Sequence, residues 1–405
     1  AGRAGASGTI LPHQHRLPAG PDRREAPLSA LQAKILKQHP KIKPALCKQG
    51  AGFSFEGALP VTRRFENVSL FDDTPPVAGP VVAEPADRDL VRTAQKLPRS
   101  IYLGTSSWNF PGWRGIVWSH ASGLSQLSQQ GLPAYSKYPI FRTVGIDRAF
   151  YRPLPQSVYA GFSDQVPDDF RFLVKAPQIV CDSVTRDHTG KPLHANPDYL
   201  NADRALDEFV LPVLEGLGCK AGVLVFEMPN IPRHALIERP AQYAAIATMA
   251  NFFSEIKSRM PTQSVTLAVE MRTRVLLTPR WVKEMASTGV RPVLSLHPSM
   301  PSIMRQTDML RLFDAPGVDV GPWQAAGDIV IRWSLAAGGT YTGLKRDWAP
   351  FNRIQQEDIV AREGIVWLLK LAKASGVRAF VVANNKAEGC APLTMRAIAE
   401  SLTGT

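Results

Sequence analysis

Eight times between Ile101 and Ala383, a short apolar run ends abruptly in polar side chains, and helix-like segments separate the runs. The first reads I-Y-L-G-T-S-S-W-N-F-P-G-W from Ile101 to Trp113. Alternation of strand and helix implies parallel βαβ units. Strands that all turn polar at their C-terminal ends are what a TIM-type (β/α)8 barrel requires, because its functional face is assembled there. The strands expected are Ile101–Thr105, Thr143–Ile146, Phe170–Lys175, Val223–Glu227, Thr266–Glu270, Pro292–His297, Ile329–Trp333 and Ala379–Ala383. A doubly wound open sheet is the competing fold. No G-x-G-x-x-G follows the first strand, so the barrel is preferred and no nucleotide cofactor is expected.

Between the strands, Tyr199 to Leu217 reads as one amphipathic helix with Leu200, Leu206, Phe209, Val213 and Leu217 on its stripe. Pro240 suits a first helical turn. Ile359 to Ser375 reads as a helix stopped by Gly376.

Strand alternation sorts side chains into inward and outward sets. Phe170, Phe172, Val174, Val144, Ile146, Leu294 and Leu296 face the helices. Lys175, Asp147, Ser295 and His297 then face the barrel axis, and Glu227, Glu270, Arg272, Arg332 and Asn384 take similar upper positions. The expected catalytic set is Glu270, His297, Glu227 and Asp147, with Glu270 as general acid or base if a dry mouth raises its pKa. Arg272 on the same face can instead hold Glu270 as a plain ion pair. Lys175, Arg272, Arg332, Asn384, Asn385, Ser106, Trp108, Gly338 and Gly339 form the expected substrate or anion set. Gly338 and Gly339, with Lys345, Arg346 and Lys386, fall in the loops after strands seven and eight, where barrels often cradle phosphate. Trp108 is a candidate stacking platform, whereas Trp113 and Trp118 read as core anchors. Asp147, Glu227 and Glu270 offer one possible Mg²⁺ or Mn²⁺ site, although a zinc centre would want more histidines than His297.

The chain of 405 residues carries a formal charge of +12, which favours anionic partners: a small molecule or nucleic acid. Part of that excess falls in residues 1–98, a basic, Pro/Gly-rich and mostly irregular extension expected to precede a barrel over 99–405. The extension holds a short basic helix at Leu28–Gln38 and a linker stiffened by Pro75, Pro76, Pro80 and Pro85. Cys47, Cys181, Cys219 and Cys390 show no paired spacing. With no apolar run long enough for a bilayer and no secretory core, a cytoplasmic location without a membrane partner is expected.

The motif Tyr102–Trp113 resembles the opening of the YecE-like family, domain of unknown function 72. So do Phe150–Pro155, Asp169–Pro177, Val225–Pro229, Ala268–Arg272 and Ala383–Gly389, in the same order. The resemblance implies a TIM-type barrel and supplies no reaction. Against the family pattern, Ser107 replaces a glycine, Gly145–Ile146–Asp147 replaces E-I-N, and Glu227 replaces a glutamine. Separately, Asn67–Phe71 resembles a peptide that docks on the bacterial sliding clamp, with Leu70 and Phe71 as its apolar anchors.

Three functions follow as expectations. The first is a hydrolase or lyase acting on a phosphorylated or nucleic-acid substrate. The second is an enzyme on a neutral sugar-like metabolite, with Glu227 and Glu270 as paired carboxylates. The third is a non-catalytic module recruited through its tail.

Overall fold

A computed structural model describes residues 79–187, 189–314 and 323–405. Its strands are β1 (Ile101–Thr105), β2 (Phe141–Ile146), β3 (Arg171–Lys175), β4 (Val184–Arg186), β5 (Pro192–Ala195), β6 (Ala221–Met228), β7 (Thr266–Met271), β8 (Arg291–Leu296), β9 (Ile329–Trp333) and β10 (Ala379–Ala383). Eight of them close a barrel in the order β1-β10-β9-β8-β7-β6-β3-β2, every pair parallel. The two others form an exposed antiparallel hairpin after β3, which the apolar pattern of the sequence does not anticipate.

Alternation holds along each stave. Leu173, Val223, Val225, Ala268, Val293, Val330, Phe380 and Val382 fill the barrel interior, with Tyr102 stacked on Phe380. Phe172, Val174, Val144, Ile146 and Leu294 face the helical layer. One step beyond the apolar layers, the same inward positions become Lys175, Glu227, Glu270, Ser295 and Arg332. Closure between β1 and β2 demands glycine. A Cβ on Gly104 would lie 1.9 Å from the Thr143 carbonyl oxygen.

Two helix expectations meet different outcomes. The helix Ile359–Ser375 starts on an Asp358 cap, which accepts the Ala361 N–H, and ends at Gly376 with φ of +70°. The segment 199–217 is helical from Ala202 on, with Leu200 outside it at φ of +57° and a π turn over Leu206–Val210 joining Ala202–Ala205 to Leu211–Leu217. Pro212 supplies the reason for the π turn. It has no N–H for the carbonyl one turn back and its ring presses on that carbonyl, and the widened turn relieves both.

Residues 79–98 are laid against the barrel. Glu84 N–H donates to Val117 O (2.9 Å) and Ser119 N–H to Val82 O (3.0 Å). A helix over Arg88–Lys96, capped by Asp87, buries Leu90 and Thr93. Asp87 also pairs with Arg396 of the C-terminal helix Ala391–Thr403. The helix Arg88–Lys96 is not expected from the sequence, since its apolar stripe is too thin to show. Leu28–Gln38, Leu70 and Phe71 lie outside the described residues. Among the described residues no helix is long and apolar enough to cross a membrane, and Cys181 and Cys390 are buried thiols outside any disulfide.

Candidate functional site

In the β6–β7 register Glu227 stands opposite Glu270, both pointing inward. Two like charges side by side repel, so cations must converge on them. Arg332 on β9 does so: its Nη1 donates to Glu227 (2.9 Å) and to Glu270, and its Nη2 donates to Asp147 (3.2 Å). Arg272 pairs with Glu270 at 2.6 Å and with Glu227 at 3.6 Å. Lys175 pairs with Glu227 at 3.0 Å and lies over the Phe150 ring. Ser295 Oγ donates to Glu270 at 2.6 Å. Three carboxylates and three cations thus close a network of zero formal charge at the barrel mouth.

Burial pushes the Glu227 carboxyl up, but Lys175, Arg332 and Arg272 together hold it well below the usual carboxylate range. Burial alone would weaken the charge on Arg332, and Glu270, Asp147 and Glu227 outweigh it, so the guanidinium is held charged. Glu270 is 0 % exposed and ringed by Ser295, Arg272 and Arg332. It sits inside the network, and the Arg272 ion pair that the sequence offered as the alternative to acid–base duty is formed at 2.6 Å. The metal expectation fails on the same geometry. Asp147, Glu227 and Glu270 converge on the Arg332 guanidinium, which takes the position a cation would need. Among the described residues no cluster of three or more acidic, His or Cys groups fits an ion.

His297 follows β8 at the rim, half-buried. Burial and then Arg272 lower its pKa. Its Nδ1 accepts the Ser299 N–H at 3.1 Å, so the neutral ring carries its proton on Nε2. Two strands away, after β10, Asn384 Nδ2 donates to Ser106 Oγ (3.0 Å) and Asn384 Oδ1 accepts the Lys386 N–H (3.1 Å). Asn385 is a structural group. It is buried, and its Oδ1 accepts Trp113 Nε1 and the Ala391 N–H, tying β10 to the core rather than to the mouth. Trp108 is also packed. It is 4 % exposed, its indole donates to Leu127 O, and Phe162 and Arg148 cover its ring. A planar ligand could reach it only if these moved. Gly338 (φ +74°) and Gly339, whose N–H bonds Ala336 O, make a tight turn into the helix Tyr341–Trp348. Arg346 is spent on Asp347.

The structure adds residues that sequence reasoning missed. Asn230, Ile231, Arg233, Leu236, Arg272, Thr273, Arg274, Val275 and Ser299 line a groove of about 840 Å³ formed by the loops after β6, β7 and β8. No carboxylate lines it. Arg233 and Arg274 pair with no acid among the described residues, and Arg272 Nη1 is buried without a hydrogen-bond partner there. The readable hint was R-T-R after β7, where a second arginine follows Arg272. Tyr151 (83 % exposed) and Tyr341 (61 %) complete the rim, Tyr151 within electrostatic reach of Asp147 and Glu227.

A family model described as "Protein of unknown function DUF72" matches residues 102–405. A solved DUF72 family protein from Enterococcus faecalis V583 is 15 % identical, with a TM-score of 0.46, over 75 % of this chain and 96 % of its own. Another, from Thermotoga maritima MSB8, is 13 % identical with a TM-score of 0.46, over 75 % and 98 %. No curated protein matches.

Proposed function

This chain belongs to the family of unknown function DUF72, and we propose that its barrel mouth takes up a phosphate-bearing ligand, a phosphorylated small molecule or a nucleic acid strand. The groove carries the reading. Arg233 and Arg274 pair with no acid among the described residues, and Arg272, whose Nη2 serves Glu270 and Glu227, keeps its buried Nη1 without a partner, so the groove favours an anion. Guanidinium forks match phosphate oxygens two at a time, and the exposed Tyr151 and Tyr341 offer faces for a base or ring. The net charge of +12 draws such ligands in. Hydrolase or lyase chemistry on the bound ligand would then fall to groups outside the locked network, with His297 as a neutral donor.

The paired-carboxylate reading for a neutral sugar has less support. Glu227 is held by Lys175, Arg272 and Arg332 and Glu270 by Arg272 and Arg332, and Glu270 is sealed, so the two do not face a ligand as a free pair.

The groove is tested by titrating a labelled single-stranded oligonucleotide, and separately a nucleoside diphosphate, at several KCl concentrations. Affinity should fall with salt. For the oligonucleotide, the Arg233→Ala/Arg274→Ala variant should flatten the logarithmic slope by about 1.4, or ~0.7 for each phosphate that is no longer neutralised. Binding indifferent to salt, or a slope the variant leaves unchanged, would overturn the reading. Whichever ligand shows the salt-dependent binding identifies the class. Recruitment to a sliding clamp through residues 67–71 is a separate proposal from the sequence. Clamp pulldown should be lost in Leu70→Ala/Phe71→Ala, and retention of binding would refute it.

A further inference from the structure

Lys386 is a buried cation at the mouth that the network does not use. It follows β10, opposite the groove across the eight-stranded closure, and is 3 % exposed. Among the described residues no carboxylate pairs with it. Its Nζ has only Asn384 Oδ1, at a long 3.4 Å, and the faces of Tyr341 (4.0 Å) and Phe351 (5.5 Å). A buried ammonium with one weak acceptor sheds its proton readily. Lys345, on the helix that carries Tyr341, adds like-charge repulsion. Burial first and Lys345 second bring the pKa down to about 8. Near neutral pH a larger share of Lys386 than of an ordinary lysine is then the free amine.

The cover over this amine is thin. No side chain of the helix Tyr341–Trp348 is fully buried, and only Leu344 and Trp348 among its large apolar residues are half-buried, so less apolar surface holds it down than holds Ile359–Ser375.

We propose that Lys386 is an imine-forming amine, and that the mouth accepts a ligand bearing an aldehyde or ketone carbon. The neutral Nζ attacks the carbonyl carbon, a C–N bond forms, and the carbonyl π pair moves to oxygen. The carbinolamine then expels that oxygen as water, which takes up the two amine hydrogens, leaving the C=N bond. No oxidant or reductant is consumed. The carbonyl substrate class goes beyond the anion reading and stands on Lys386, Asn384 and Phe351, none of which lines the groove, with Tyr341 common to both readings.

The experiment treats the full chain with pyridoxal 5′-phosphate, or with glycolaldehyde as an uncharged probe, then with borohydride, and maps adducts by peptide mass spectrometry. Lys386 should be modified at least several-fold faster than Lys345, half-maximally near pH 8, and faster again in Tyr341→Ala. Lys386→Arg should lose that adduct while keeping a cation over the rings and an unchanged melting temperature. Labelling of Lys386 no faster than Lys345 with either aldehyde would overturn the proposal, leaving the salt experiment on the groove to stand or fall separately.

Discussion

Arg332 is the single side chain on which three carboxylates depend. Arg332→Met leaves Asp147, Glu227 and Glu270 with two cations in a buried setting, and breaking such pairs costs about 3–5 kcal/mol. The urea midpoint should fall accordingly, and a loss under ~1 kcal/mol would show the network to be looser than its geometry. The network also sets an acid limit. Glu227 binds its proton more weakly in the folded chain than in the unfolded one, so its stabilisation is present above the ordinary glutamate value of 4.5 and lost as pH falls below it. Stability should therefore drop on acidification below that value. The drop attributable to Glu227 should shrink in Lys175→Met, which removes the foremost of the cations that hold it. At this scale the sequence was partly legible. Period-two alternation correctly turned Glu227, Glu270, Ser295 and Arg332 inward. Which cation serves which carboxylate depends on inter-strand register, and nothing local in the sequence encodes that.

At the scale of elements, the strands were the legible part, because a buried parallel strand writes itself as an apolar run with sharp ends. Ile101–Thr105, Ile329–Trp333 and Ala379–Ala383 coincide with the observed bounds. Helices were read less well where their fate turned on one residue's missing donor, as at Pro212, or on packing against a distant partner, as in Arg88–Lys96. The groove was invisible for a related reason: Arg233 and Arg274 sit on loops, where no periodicity says which way a side chain points. The helix Tyr341–Trp348 makes a prediction of its own. With no side chain fully buried, its amides should exchange with solvent faster than those of Ile359–Ser375 by orders of magnitude. Trypsin should nick it early at Lys345 or Arg346. Protection equal to that of Ile359–Ser375 would argue against a movable cover.

For the molecule as a whole, residues 79–98 behave as a strap across the barrel rather than a tether leading to it. Leu90, 2 % exposed, is its main apolar anchor beside Thr93. Leu90→Ala should cost about 2–5 kcal/mol, the range for a truncated buried leucine, and thermal unfolding by calorimetry would read the shift. A change within error would mean the strap lies on the barrel without supporting it.

The zero sum at the barrel mouth also governs how a lineage can alter this protein. Losing Glu227 alone strands Lys175, and losing Arg272 alone leaves three carboxylates on two cations, so each single step passes through an unbalanced charge. Steps that remove an acid together with its cation avoid that intermediate. The mouth is therefore expected to drift in matched pairs, with long stasis between them, while the unpaired arginines of the groove remain free to change one at a time as the ligand changes.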